Sequence, residues 1–123
     1  MSYAIGHLIY GLPVTEELSG ALDDIIPTLE YGTEDLDEAG LHLLYTGSSY
    51  YAGYLGEELL EFDVCVDYEC FSTLENAKNK LSPSKKEEVV KMFQNFKKEF
   101  PELGKLFDDS KLQIGYYIVW SYS

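Results

Sequence analysis

Residues 61–69 read Glu61-Phe62-Asp63-Val64-Cys65-Val66-Asp67-Tyr68-Glu69, an alternation of acidic and apolar positions broken only at Cys65. A period of two is the mark of a β-strand with one face in the core and the other in water. The reading predicts Phe62, Val64, Val66 and Tyr68 pointing inward. Glu61, Asp63, Cys65, Asp67 and Glu69 then form a rigid acidic stripe on the outer face. A strand at this place decides the fold, because the remaining elements fall into order on either side of it.

On its N-terminal side, residues 47–56 are rich in Tyr, Ser and Gly and predict a hairpin connection from a strand over residues 41–46. Tyr50, Tyr51 and Tyr54 in this connection offer contact area with few rotatable bonds, as adaptable binding loops do; the alternative is that they fold back on the sheet. Residues 28–40 read as a polar connection. Before it, Thr15 can cap a helix over residues 16–26, with Glu16 and Glu17 in the favourable first turn and Leu18, Leu22, Ile25 and Ile26 as its apolar stripe. Pro27 ends that helix. Residues 3–12 alternate with apolar positions on both faces, predicting a central strand closed by Pro13.

On the C-terminal side, Ser72-Thr73-Leu74-Glu75 matches a capping box and predicts a short helix to about residue 81. Ser82 then caps a helix over residues 83–100 with Pro83 in its first position. Residues 101–109 read as a short turn of helix and a loop, and residues 111–122 as the last strand. The order β-α-β-β-α-β predicts a single α+β domain over residues 1–123. It would be a four-stranded antiparallel sheet with two to three helices mainly on one face, in a ferredoxin-like arrangement that leaves the acidic stripe on the open face.

Composition narrows the function. The chain has 123 residues, and at 46% apolar it carries too much hydrophobic sequence for a disordered tail. The net charge is −13, and there is no Lys or Arg before Lys78, where 16 Asp and Glu residues lie; from Lys78 onward nine Lys oppose six acids. Binding a nucleic-acid backbone needs cations to replace counterions, so direct nucleic-acid binding is excluded for the first part. An acidic surface favours basic partners. There is no leader pattern and no apolar run of about 20 residues, so no membrane segment is expected. Cys65 and Cys70 read as free thiols of a cytoplasmic protein, and their C-x4-C spacing lacks the second pair a structural zinc site needs.

Catalytic signatures are absent from the sequence. The nucleophile and base types present are His7, His42, the two cysteines and serines without a glycine elbow, and the glycines of residues 47–56 lack the Lys of a phosphate-binding loop. The acids between Glu30 and Glu38 do not fall at EF-hand positions. His7 and His42 sit in apolar strand patterns and read as satisfied histidines. Glu61 and Asp63 would be anchored about 6.7 Å apart along a strand, within reach of acid–base chemistry, but any alternating acidic strand contains such a pair. No catalytic residue, cofactor or metal-ligand set is therefore assigned, and Glu61, Asp63, Asp67, Glu69, Tyr50, Tyr51 and Tyr54 are the expected partner-binding residues. The expected function is an acidic protein-binding module. Its partner would be a basic protein such as a nuclease, inhibited in the manner of immunity proteins or DNA mimics. The alternatives are a self-associating assembly protein, in which the acidic strand meets the Lys-rich helix of another copy, and a small enzyme or metal binder using surface carboxylates.

Overall fold

A computed structural model describes residues 4–30, 32–44, 51–63 and 68–122, with the backbone alone at residues 68–71. Four strands, β1 (Ala4–Pro13), β2 (Leu41–Leu44), β3 (Ala52–Asp63) and β4 (Gly115–Tyr122), form one sheet in the order β2-β3-β1-β4. All three pairings are antiparallel. The helices are α1 (Glu16–Ile25), extended by a 3-10 turn at Ile26–Thr28, then α2 (Thr33–Glu38), α3 (Tyr68–Asn79), α4 (Pro83–Glu99) and α5 (Pro101–Asp109). β3 lies between β1 and β2, and β1 between β3 and β4, so each helical crossover is split by a strand from the other half. That is the ferredoxin-like order anticipated from the sequence.

The local rules explain most boundaries. Thr15 accepts from the Leu18 amide at 3.2 Å and starts α1. Ser82 does the same for Lys85 at 3.3 Å, with Pro83 in the first turn of α4. The apolar stripes of α1, α4 and α5 meet one face of the sheet: Leu18, Leu22, Phe96, Phe100, Leu103 and Phe107 pack with Leu12, Leu41 and Leu55. Gly11 stands opposite both Gly56 on β3 and Gly115 on β4. This row without side chains lets three backbones close up. Among the described residues, no helix is long and apolar enough to cross a membrane.

Four expectations are corrected. The polar connection over residues 28–40 contains a helix, α2, whose start is held by the Asp35 carboxylate accepting from the Gly32 amide at 3.0 Å. Residues 101–109 form a complete helix rather than a turn, because Leu103, Leu106 and Phe107 recur at helical spacing and bury against α4 and the sheet. The expected hairpin connection at residues 47–56 ends early, since Ala52 to Gly56 already belong to β3. The fourth correction falls on the acidic stretch itself. β3 ends its described course at Asp63, and Tyr68 and Glu69 open α3. The apolar residues Tyr68, Phe71, Leu74, Ala77 and Leu81 recur every three or four positions, and this helical period prevails over an alternation that ran only nine residues. Ser72 to Glu75 consequently lie inside α3 rather than at its cap.

Candidate functional site

The face of the sheet turned away from α1, α4 and α5 is where the acidic side chains gather. On β3, strict alternation would place Glu58 and Glu61 on opposite faces. The register instead slips between Leu8 and Ile9: Glu58 pairs with Ile9 and Leu60 with Leu8, so Leu59 is an extra residue on β3. A β-bulge of this kind shifts the side-chain phase by one. Glu58, Glu61 and Asp63 thereby share the face carried by Ile5, His7 and Ile9, while Glu57, Leu60 and Phe62 turn to the helix side. There Glu57 reaches Lys85 at 3.9 Å, and Phe62 lies over Gly6 with its ring 6.0 Å from that of Trp120.

His7 is the centre of the arrangement. It is 6% exposed on β1, between β3 and β4. Its Nδ1 bonds Glu58 Oε1, and its Nε2 lies 2.7 Å from the Ser121 hydroxyl on β4. Glu61 stands directly opposite His7 in the ladder, and ligand atoms of His7, Glu58 and Glu61 all lie within 4.8 Å of one another. A carboxylate only accepts, so His7 donates Nδ1–H to Glu58, and with the ring neutral the Ser121 hydroxyl donates to Nε2. The chain of bonds from serine to histidine to carboxylate has the order of an acyl-transfer triad. Ser121 is only 7% exposed, however, and at that depth its hydroxyl orients the ring.

A second histidine–acid pair borders the first. His42 on β2 bonds Asp37 of α2 at 2.5 Å, and its ring lies 5.0 Å from that of Tyr54 on β3. Tyr54 packs with Ile9 and Val119 as the floor of this face. Burial first, then the charges of Glu58, Asp37 and Glu61, push its phenol up to about 12. Carboxylates from α2 and from both sides of the bulge therefore act on one buried ring. A phenol raised above its unfolded value of about 10 leaves stability intact below that pH and erodes it as pH rises toward the folded value. Between pH about 10 and about 12, the chain is expected to lose up to about 3 kcal/mol more than Tyr54→Phe loses. Urea unfolding of both proteins across that window checks it, and parallel decline in the two would refute the field at Tyr54.

Of the expected partner-binding residues, Glu61 and Asp63 stand on this face as anticipated. Tyr54 is in the sheet and 6% exposed rather than in a loop, because its alternate position on β3 carries it into the apolar floor. Tyr51 precedes β3 and is half-buried, its carbonyl accepting from the Ser19 hydroxyl. Glu69 falls in α3, away from the strand it was assigned to. Tyr50 and Asp67 lie outside the described residues. The sequence reading missed His7, Glu58, Ser121, Asp37 and His42 as a group. The one signal for them is Glu57-Glu58-Leu59-Leu60-Glu61, where doubled acids and doubled leucines interrupt the alternation and mark the bulge. Comparison of the chain with models of protein families, with curated proteins and with solved structures found no match.

Proposed function

We propose that the chain is an acidic binding module that docks a basic protein on the exposed carboxylates of the sheet face turned away from α1, α4 and α5, with an inhibitor of a nucleic-acid-acting protein as the form this function takes. The observation that carries the reading is the bulge at Leu59, which gathers Glu58 and Glu61 beside Asp63 on one face. All nine lysines lie between Lys78 and Lys111, in α3, α4, α5 and the connections around them. The described ion pairs of those lysines involve Glu57, Glu75, Glu88 and Asp108, and none involves Glu58, Glu61 or Asp63. The face is thus charged without lysine compensation among the described residues, on a rigid sheet with an aromatic floor. Glu58 and Glu61 are close enough for one guanidinium or ammonium group of a partner to bridge them, a geometry that favours Arg or Lys. Long-range attraction to a basic surface adds speed to the encounter.

The test is affinity capture from the native host at low and high salt, with the wild-type chain and the double variant Glu61→Lys/Asp63→Lys as baits. Both positions are exposed, so the variant is expected to fold, and a thermal melt verifies this. The expected result is a basic protein captured by the wild type at low salt and released at high salt. The double variant should bind it about 100-fold more weakly. Capture that survives charge reversal or high salt unchanged would overturn the reading.

A further inference from the structure

We propose that His7, Glu58 and Glu61 form a three-ligand site for a divalent cation of borderline hardness, with Zn2+ the best fit. One imidazole nitrogen and two carboxylates, their ligand atoms within 4.8 Å of one another, supply three donors and leave a fourth position for water. Calcium and magnesium prefer all-oxygen shells, so the imidazole selects against them, while zinc accepts imidazole and carboxylate together. The donors stand on neighbouring strands rather than on loops, with His7 in the interior of the sheet. Their spacing is therefore held by the ladder.

The Ser121 hydroxyl is the feature that separates this cluster from a chance meeting of acids. A histidine that ligates a metal through one nitrogen is usually held by a polar partner on the other, which fixes both the ring and its tautomer. Ser121 holds Nε2 at 2.7 Å, buried, on the strand opposite to the one that carries the carboxylates. It turns Nδ1 toward Glu58. Without a cation, Nδ1 carries the ring proton and Ser121 donates to Nε2. With a cation, the Nδ1 lone pair binds the ion, the ring proton moves to Nε2, and the hydroxyl accepts that proton's hydrogen bond. A hydroxyl can do either by rotating. The ring keeps one proton throughout, so its charge balances in both states. Among the described residues, Asp63, Asp37, His42, Tyr54 and Tyr117 are the other titratable groups on this face, and all the lysines belong to α3, α4, α5 and adjoining connections.

The site is tested with Zn2+ alone, by calorimetric titration and by nitrogen NMR of the two histidine rings in the full chain. One Zn2+ per chain is expected, with His7 passing from the Nδ1–H to the Nε2–H tautomer and His42 unchanged. Glu58→Gln and Glu61→Gln keep shape and remove charge at solvent-facing positions. Each is expected to weaken binding at least about 10-fold, and the pair together at least about 100-fold. Asp63→Asn and His42→Gln should stay within about 3-fold of the wild type, which is the range of general electrostatic loss. Zinc binding without a response of the His7 ring would overturn the site, as would absence of binding at millimolar zinc. So would weakening by Asp63→Asn or His42→Gln as large as that by the two glutamine variants, since it would reveal diffuse attraction to acids. The site does not depend on a protein partner. A chain that takes zinc but captures no basic protein would refute only the docking function, and the reverse result only the metal site.

Discussion

Gly11→Ala is expected to destabilise the chain by more than about 4 kcal/mol, a loss confined to a short list of mechanisms. A Cβ on Gly11 would sit 2.0 Å from the Leu55 carbonyl oxygen and 2.8 Å from the Gly56 Cα, at a φ of +155°. Both obstacles are backbone. They belong to β3, which is fixed on its other side by β2, so neither can move without opening the ladder. The reciprocal position is equally closed, since a Cβ on Gly56 would meet the Tyr10 carbonyl oxygen at 2.3 Å. A domain of ordinary stability holds only about 5–15 kcal/mol, so the variant is expected to unfold at low urea or fail to accumulate. Gly20 supplies the comparison: it lies in α1 with nothing within 4 Å of a built Cβ, and Gly20→Ala should gain about 0.5–1 kcal/mol. Urea melts of the three proteins decide the matter, and a Gly11→Ala variant within about 1 kcal/mol of wild type would mean that the strands do not approach as described.

Phe96→Ala is the second large expected loss, about 3–5 kcal/mol. Phe96 is fully buried in α4 and stands between two other rings, with Phe100 at 5.3 Å and Phe107 of α5 at 6.0 Å edge-on. These rings join the α4–α5 corner to the sheet through the cluster that includes Leu12, Leu41 and Leu55. Removing the central ring leaves a cavity that its rigid neighbours cannot fill, which adds to the lost transfer energy. Phe96→Leu keeps most of the volume and should cost under about 1.5 kcal/mol. Thermal and urea melts read both, and an alanine variant no worse than the leucine variant would show that the rings are loosely packed. In either variant that still folds, the face that carries His7 and Glu61 should be untouched, because Phe96 lies on the other side of the sheet.

The fold was legible from local chemistry because its signals agree. Thr15, Ser82 and Pro83 set helix starts by capping alone, Pro13 closes β1, and Pro27 marks the change from α-helix to the 3-10 turn. The alternation in β1 survives to the structure, whereas the last strand, expected from Lys111, begins only at Gly115 because Lys111 takes a turn conformation with a φ of 59°. The split crossover order followed from element order. Where the reading failed, two periods competed over one stretch: residues 61–69 satisfy alternation, yet from Tyr68 onward a helical period of apolar residues extends further and wins. The site was far less legible. His7, Glu58 and Ser121 come together from β1, β3 and β4, at sequence separations of 51 and 114 residues. No spacing rule links positions so distant. Two carboxylates three apart on a strand belong on opposite faces by every rule of strand periodicity, and only the extra residue at Leu59 brings them together.

That extra residue makes the strand tolerant of a change that would scramble an ordinary one. Substituting Leu59 by another residue leaves the count intact and with it the phase of every side chain beyond it. Deleting it removes the residue that has no partner on β1, so Glu58 and Leu60 become neighbours and Glu58, Glu61 and Asp63 keep a common face by simple alternation. In a regular ladder the loss of one residue turns every later side chain over. At this point in β3 a one-codon deletion would spare the shared face and change only the local bend and the spacing between Glu58 and Glu61.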